Sequence, residues 1–198
     1  MPTIFAHGAI GFVASKFGSH HPSRRIILAS ILAATLPDID ALFFGLIPYN
    51  APFGHRGFTH SLFFAALIGL LLGLVFHRTG WGSGHSFLAL ATLFFVVTAS
   101  HGLFDAMTNG GLGIAFFAPF DNTRYFLPWR PIPVAPLSAQ RLFSPSGFHV
   151  IVWEAGLFGP FTLAAIIWDR RSVWRRFSAV ACAIAGAVMW FVAINGSR

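Results

Sequence analysis

The sequence is short of charged residues. Of its 198 residues only 10% are charged, whereas 56% are hydrophobic and the mean hydropathy is +0.71. A soluble domain has roughly a quarter of its residues charged, so this chain lacks the groups that would coat a surface facing water. The scarcity excludes an ordinary soluble domain and favours a protein whose solvent is the lipid bilayer.

Cysteine and alternating patterns are scarce too. The single cysteine, Cys182, lies in an apolar run, which excludes a disulfide framework. A transmembrane barrel would alternate polar and apolar residues, and the long apolar runs here do not alternate. Because a backbone in lipid must satisfy its hydrogen bonds within helices or a closed barrel, we expect an all-α, polytopic membrane bundle.

The apolar runs predict about six helical segments, of which only the last four approach the ~20 residues that a membrane span needs. The first two are expected to be tilted, half-inserted or packed inside the bundle, and Pro37 is expected to stop the second before an apolar extension over Ile39–Ile47. The predicted segments are Thr3–Phe17, Arg25–Leu36, Thr59–Phe76, Ser86–Met107, Val150–Trp168 and Ser178–Ile194.

We expect a single membrane-embedded domain over residues 1–198, in three parts. Residues 1–107 form the helices that carry candidate metal ligands, residues 108–149 form a long outer loop that caps the site, and residues 150–198 form two C-terminal transmembrane helices. The loop holds six prolines, and its many aromatic residues argue that it is ordered.

Arginines indicate the orientation. The linker Asp169–Arg176 holds four arginines and is expected to face the cytoplasm. Alternation of the segments then places both termini and the long loop outside. We therefore expect an integral protein of the bacterial cytoplasmic (inner) membrane with its site on the outer, periplasmic or extracellular, face.

Histidines and acids gather at that outer face, although the topology was derived from the basic residues alone. His101 and Asp105 are four residues apart on a helix and project from one side. Imidazole and carboxylate groups are metal ligands, and carboxylates within a membrane are costly unless paired or ligated. A helix cap or a neutral hydrogen bond could explain single members, but the joint gathering predicts a metal site. Its members are His7, Asp38, Asp40, His55, His60, His101 and Asp105.

The motifs around these residues resemble the YdjM family of inner-membrane proteins, which are described as metal-dependent hydrolases. The resemblance covers roughly residues 4–137. Its motifs are Ala6–His7–Gly8, Leu36–Pro37–Asp38–Ile39–Asp40, His55–Arg56–Gly57–Phe58–Thr59–His60–Ser61–Leu62, His101–Gly102–Leu103–Phe104–Asp105, Thr108–Asn109–Gly110–Gly111, and Pro119–Phe120–Asp121 with Arg124–Tyr125.

The order His, Asp, His, His-x-x-x-Asp is also similar to that of zinc-dependent phospholipase C and the single-strand-specific zinc nucleases, which hydrolyse phosphoesters. This resemblance implies that His7, Asp38, His60, His101 and Asp105 are metal ligands. Those enzymes close their site with a later His-x-x-x-Glu. Glu154 is the candidate for that position here, although it follows His149 by five residues rather than four.

Together these observations predict a membrane-bound metal-dependent hydrolase that cleaves a phosphoester of a lipid or other amphiphile. The expected cofactor is a divalent metal, zinc foremost with manganese or iron as alternatives, in one to three ions. Asp40 or His55 is a further ligand or the general base. Arg56 is assigned with them to the catalytic groups, and Arg124 and Arg130 are assigned to the substrate phosphate, because guanidinium binds its oxygens bidentately.

The expected partners are membrane lipids and the amphiphilic substrate, with the oligomeric state open. Nucleic acid is not expected as a ligand, because the basic residues form no stripe interleaved with aromatics. Two alternatives remain at this stage. One is a metal-ion transporter, and the other is a non-catalytic membrane protein with a structural metal.

Overall fold

The computed structural model describes residues 1–18, 22–168 and 171–196, and the regular secondary structure in these ranges is helical. Two 3-10 helices, Leu36–Phe43 and Phe58–His60, accompany the α-helices. The α-helices of the described residues are α1 (Ile4–Gly18), α2 (Arg24–Thr35), α3 (Leu62–Arg78), α4 (Phe87–Asp105), α5 (Ala139–Leu142), α6 (Pro145–Ile167) and α7 (Val173–Gly196).

Four helical stretches of the described residues are long and apolar enough to cross a membrane, and α3 is a shorter apolar helix. The predicted all-α membrane bundle is therefore confirmed. With 17 residues, α3 is about 26 Å long, somewhat less than the hydrocarbon thickness of about 30 Å. The four stretches are Arg24–Phe43, Phe87–Asp105, Pro145–Ile167 and Val173–Gly196.

The expectation that only the last four segments approach a membrane span is wrong in one respect, because the second segment is a candidate span that continues past Pro37, whereas the third is the shorter helix α3. Pro37 ends the α-helical part as expected, but the chain goes on directly as the 3-10 helix Leu36–Phe43, so that α2 and this segment form one stretch of 20 residues. Proline is tolerated there because it occupies the first turn of the new helix, where its missing N–H has no helical partner to lose.

Two predicted boundaries differ from the structure. Helix α6 begins at Pro145 rather than Val150, because Ser144 caps it by accepting a hydrogen bond from the Gly147 amide. Helix α7 begins at Val173 rather than Ser178 and includes Arg175 and Arg176. An apolar run ends at the first charged residue. A helix can continue past that residue, because long arginine side chains reach water from within a helix. Asp169 and Arg170 of the predicted cytoplasmic linker lie outside the described residues.

Small residues set how closely the helices approach. A Cβ atom on Gly69 or Gly73 of α3 would lie 2.8 Å from atoms of α4, the latter from the backbone of Ala91. Such a spacing of glycines four residues apart lets helix backbones pack closely within a membrane. Helix α1 packs in the same way against α2 at Gly11, and it also contacts α4 and α6. Helix α1, which carries His7, is thus held by three other helices.

The segment between α4 and α5 is held against the bundle by its own buried residues. Ile114, Ala115, Ala118 and Ile132 are at most 1% exposed. Bridges between Ile114 and Tyr125 and between Thr108 and Ile132 pair the segment with itself and with the end of α4. These contacts place its backbone carbonyls beside the residues that follow α4.

We expect Gly73→Ala to destabilise the bundle, because its methyl group would overlap Ala91. Overpacking of this kind costs about 1–3 kcal/mol, which exceeds the gain of roughly 1 kcal/mol in helix propensity. Gly159→Ala in α6 is the matched control, since a Cβ there meets nothing within 4 Å. Thermal unfolding in detergent should show a lower midpoint for Gly73→Ala only. Equal midpoints for the two variants would contradict the close α3–α4 contact.

Candidate metal centre

Four elements converge at one end of the bundle and bring the predicted site residues together. In the described residues they form two groups, within each of which one ligand atom per residue lies within 4.8 Å of the others. One group is His7, His101 and Asp105, on α1 and α4; the other is Asp38, Asp40, His55 and His60, on the two 3-10 helices and the turn between them.

The local conformations that allow this are unusual. On the 3-10 helix, Asp38 and Asp40 both belong to the second group, whereas Ile39 between them is 47% exposed. Arg56 has a φ of 65°, a left-handed conformation that is uncommon for a non-glycine residue and often marks a functional site. A Cβ on Gly102 would lie 2.7 Å from the His60 carbonyl, so a larger residue there would push His60 away from α4.

The two groups are joined through His60 and His101. Nδ1 of His101 lies 2.7 Å from the Ala34 carbonyl, which can only accept, so Nδ1 carries the proton. The Thr59 hydroxyl donates to Asp40 at 2.7 Å and therefore accepts from Nδ1 of His60 at 3.0 Å. Both rings are thus held through Nδ1, and their Nε2 atoms face each other at 3.1 Å. Two lone pairs at that distance require a cation, either a proton or a metal, between or beside them.

Carboxylate oxygens complete this arrangement. Oδ1 of Asp38 lies 3.2 Å from Nε2 of His101 and 3.7 Å from Nε2 of His60, and Oδ2 of Asp105 lies 3.6 Å from Nε2 of His60. These separations, together with the 3.1 Å between the two Nε2 atoms, are short enough for the four groups to share one metal ion. His7 adjoins it, with Nε2 3.3 Å from Oδ1 of Asp105 and its ring stacked on His101 at 3.7 Å.

Unpaired polar atoms show that these residues fit a metal ion. Both carboxylate oxygens of Asp38 and Asp105 and both ring nitrogens of His7 are buried without a hydrogen-bond partner. Buried polar atoms are normally paired, and each exception needs an explanation, such as a role in binding an ion. A divalent cation would satisfy these atoms together, because all of them belong to ligand types that zinc accepts.

Asp40 has a different environment from Asp38. Its Oδ1 lies 2.7 Å from Nδ1 of His55, and its Oδ2 accepts from the Arg56 amide at 3.2 Å and from the Thr59 hydroxyl. With its oxygens engaged in this way, Asp40 orients His55 directly and His60 through Thr59. A carboxylate that holds the outer ring nitrogen of a histidine in this way is typical of the second layer of metal sites.

Arg56 is completely buried and its guanidinium is used within the protein. Nε lies 3.1 Å from Oδ2 of Asp105, Nη2 donates to the Thr108 hydroxyl, and Nη1 donates to the carbonyls of Gly110 and Leu112. It therefore ties the segment after α4 to the centre and supplies a positive charge next to Asp105.

Three other residues predicted for the site lie outside the two groups. Glu154 accepts hydrogen bonds from Thr3. Arg124 donates to the carbonyls of His55, Gly113, Tyr49 and Ala51. The exposed Arg130 lies over the Phe126 ring and lines a cavity of about 320 Å³ together with Asn109 and His149.

Sequence reasoning missed the threonines that serve the centre. Thr59 orients His60, Thr108 binds Arg56, and Thr3 binds Glu154. Thr59 stands inside the His55–His60 motif, and its position next to a predicted ligand is a usable signal. Thr3 and Thr108 carry no such signal, because their partners are distant in sequence.

The surroundings of His60 also affect its titration. Burial lowers the pKa of His60, but the nearby carboxylates of Asp38 and Asp40 raise it by more, so that this pKa lies at about 9 in the metal-free protein. The ring is consequently protonated near neutral pH, and the proton on Nε2 occupies the position that a metal would take.

The protein is an integral membrane protein with a candidate metal centre. Its helical bundle encloses histidines and aspartates that could hold a metal ion. The model of the YdjM inner membrane protein family matches residues 1–195. The chain is also 37% identical over 179 residues to "Inner membrane protein YbcI" of Escherichia coli (strain K12), an alignment that covers 86% of this chain and all of the relative. No solved structure matches the chain. The chain therefore belongs to the YdjM inner membrane protein family, and the resemblance drawn from its motifs is confirmed.

Removal of a candidate ligand should lower the metal content of the protein. Asp38→Ala and His101→Ala should each lose bound metal. His101 supplies one of the two facing Nε2 atoms, and Asp38 supplies the carboxylate oxygen beside it. His77→Ala, at an exposed position near the end of α3, should keep it. Elemental analysis of detergent-purified protein checks this, and equal metal content in all three variants would contradict the centre.

A further prediction concerns pH. A metal ion must displace the proton of His60, so its apparent affinity should rise by up to roughly tenfold per pH unit as the pH approaches about 9. Below neutral pH the affinity should keep falling. Chelator competition across this range measures the slope, and an affinity independent of pH would show that His60 is not a ligand.

Proposed function

We propose that this protein is a membrane-bound metal-dependent hydrolase that cleaves a phosphoester of a lipid or another amphiphile. The supporting observation is the pairing of two features in one buried cluster. One is a set of candidate ligands, formed by Asp38 and Asp105, whose oxygens lack hydrogen bonds, and by the facing Nε2 atoms of His60 and His101. The other is His55, an adjoining histidine held by a carboxylate and free at its second nitrogen.

His55 has the arrangement of a general base. Asp40 holds Nδ1 of His55 at 2.7 Å, and Nε2 makes no hydrogen bond within the described residues. A carboxylate in this position keeps the imidazole in one tautomer and stabilises its protonated form. His55 is therefore the residue that we assign to take a proton from the attacking water, with Asp40 as the group that orients it.

His60, His101, Asp38 and Asp105 would hold the metal, with His7 beside them. A divalent ion held by these residues would supply the acidity that activates water and the positive charge that polarises a phosphoryl oxygen. The charges of the cluster favour a single ion. The side chains of Asp38, Asp40, Asp105 and Arg56 together carry two net negative charges when the histidines are neutral, and all but Asp38 are buried. Buried charges are costly unless compensated, and one divalent cation, with zinc the best match to these ligands, balances them.

The three arginines predicted for the site have two different roles. Arg56 and Arg124 donate hydrogen bonds to oxygen atoms within the protein, so we assign them to stabilising the centre and the turns around it. Arg130 is exposed, and it is the arginine that we assign to a substrate phosphate. Its cavity is lined by the polar residues Asn109 and His149 and by the apolar residues Val192 and Ala193 of α7. This lining suits a polar headgroup that is attached to an apolar chain.

The location at the ends of the helices supports an amphiphilic substrate. Asp38, Asp40 and Asp105 lie at the C-terminal ends of two candidate spans, near the level where headgroups meet the hydrocarbon region. We place this face outside the cytoplasm, because Arg171, Arg175 and Arg176 lie at the opposite end of α6 and α7, where basic residues mark the cytoplasmic side.

The test is turnover by zinc-loaded protein in detergent–lipid micelles across phospholipids and polyprenyl phosphates. His55→Gln should lower kcat about 10²–10⁴-fold, because it removes a general base, while its zinc content stays at the wild-type value. His77→Ala is the control and should retain both.

Two outcomes would count against the proposal. Zinc-loaded protein that turns over none of these substrates would leave a structural metal centre. A His55→Gln variant with unchanged kcat would remove His55 from the reaction.

A further inference from the structure

Glu154 is a buried carboxylate that the proposed chemistry does not use. It lies within α6, a candidate membrane span, and is 4% exposed. Among the described residues no ion pair of Glu154 with a basic side chain is found. Its oxygens instead accept from the Thr3 amide at 2.7 Å and from the Thr3 hydroxyl. A carboxylate in a membrane helix is costly and so indicates a function.

Thr3 links this carboxylate to α1. It stands directly before the first residue of α1, its hydroxyl lies 3.4 Å from the Ala6 amide, and its carbonyl accepts from the His7 amide at 3.2 Å. A continuous path of hydrogen bonds therefore runs from Glu154 on α6 through Thr3 to the backbone of His7. A negative charge at the N-terminal end of α1 is also favourable to the helix dipole.

The orientation of the His7 ring depends on the position of its backbone more strongly than the orientations of the His60 and His101 rings do. His60 and His101 are each held through Nδ1 by Thr59 and by the Ala34 carbonyl. Neither ring nitrogen of His7 makes a hydrogen bond that would fix its tautomer; the ring stacks on His101, and its Nε2 lies 3.3 Å from Oδ1 of Asp105. The position of the His7 ring is consequently determined by where α1 sits.

We propose that Glu154 is a positioning residue, which acts through Thr3 to hold His7 at the metal centre. This inference rests on the proposed metal centre, but it does not depend on the hydrolase activity. It gives Glu154 a role distinct from the direct ligation that the resemblance to zinc phosphoesterases implies.

The experiment is a double-mutant cycle on zinc affinity, measured by chelator competition. Glu154→Ala should weaken zinc binding about 10–100-fold, as loss of a second-layer contact does, and Thr3→Val should weaken it less. Glu154→Gln keeps an acceptor for the Thr3 amide and should retain most of the affinity. Thr162→Val is the matched control, because its hydroxyl bonds only within α6, and it should leave the affinity unchanged.

The decisive comparison uses His7→Ala. If Glu154 acts through His7, the variant with both changes should bind zinc as His7→Ala does, since interacting residues are non-additive. The visible spectrum of the cobalt-substituted Glu154→Ala protein should shift in the same direction as that of His7→Ala. In the metal-free protein, hydrogen exchange at the His7 amide should be faster in Glu154→Ala than in the wild type.

Three results would overturn the inference. Additive losses in the double variant would show that Glu154 and His7 act separately. Equal losses in Glu154→Gln and Glu154→Ala that persist without His7 would make Glu154 a direct ligand. A lowered unfolding temperature with unchanged zinc affinity would make it a purely structural residue. Zinc binding that follows the expected cycle without any lipid turnover would reject the hydrolase and leave this inference standing.

Discussion

The arrangement of this protein depends on one electrostatic constraint, the approach of the His60 and His101 Nε2 atoms to 3.1 Å in a buried site that also holds Asp38 and Asp105. Each ring is turned into this position by a hydrogen bond at Nδ1, so neither can rotate away without losing that bond. The facing nitrogens and the carboxylate of Asp38 repel one another unless a cation lies among them, and Arg56 compensates only Asp105. A bundle that surrounds such a group with apolar helices makes the requirement for a cation stronger, because a low dielectric strengthens every charge interaction.

The fold meets this constraint with small residues and short irregular segments. Gly102 lets the backbone of His60 approach α4, and the 3-10 helix after α2 turns two aspartates inward on either side of an exposed isoleucine. Arg56, with its left-handed backbone, reaches from the same turn to Asp105 and to the segment after α4. Membrane proteins tolerate irregular backbone where it is buried in protein, and here that irregular backbone carries the functional groups.

Much of the fold could be predicted from apolar runs. The helical membrane bundle and the approximate positions of its long helices follow from hydropathy, since length and composition decide which segments can stay in lipid. The starts of α6 and α7 could not be predicted in this way. Ser144 caps α6 among polar residues, and the first turn of α7 carries arginines; neither feature interrupts a helix, although both interrupt an apolar run. The gathering of histidines and aspartates at one face could also be inferred, because it follows from the order of the segments.

By itself the sequence determined the solvent, the helical class, the family and the set of histidines and aspartates that meet, because these depend on composition, spacing and motifs that are read along the chain. Only the tertiary structure decided which neighbours each member of the set has. Asp38 and Asp40 are two residues apart and chemically identical, yet the oxygens of Asp38 make no hydrogen bond, whereas both oxygens of Asp40 are hydrogen-bonded. Glu154 and Arg124 have the chemistry of a ligand and of a phosphate-binding group, but their neighbours are Thr3 and the backbone carbonyls of a distant turn. The role of a polar side chain is set by the donors and acceptors that surround it, and those come from segments far apart in sequence.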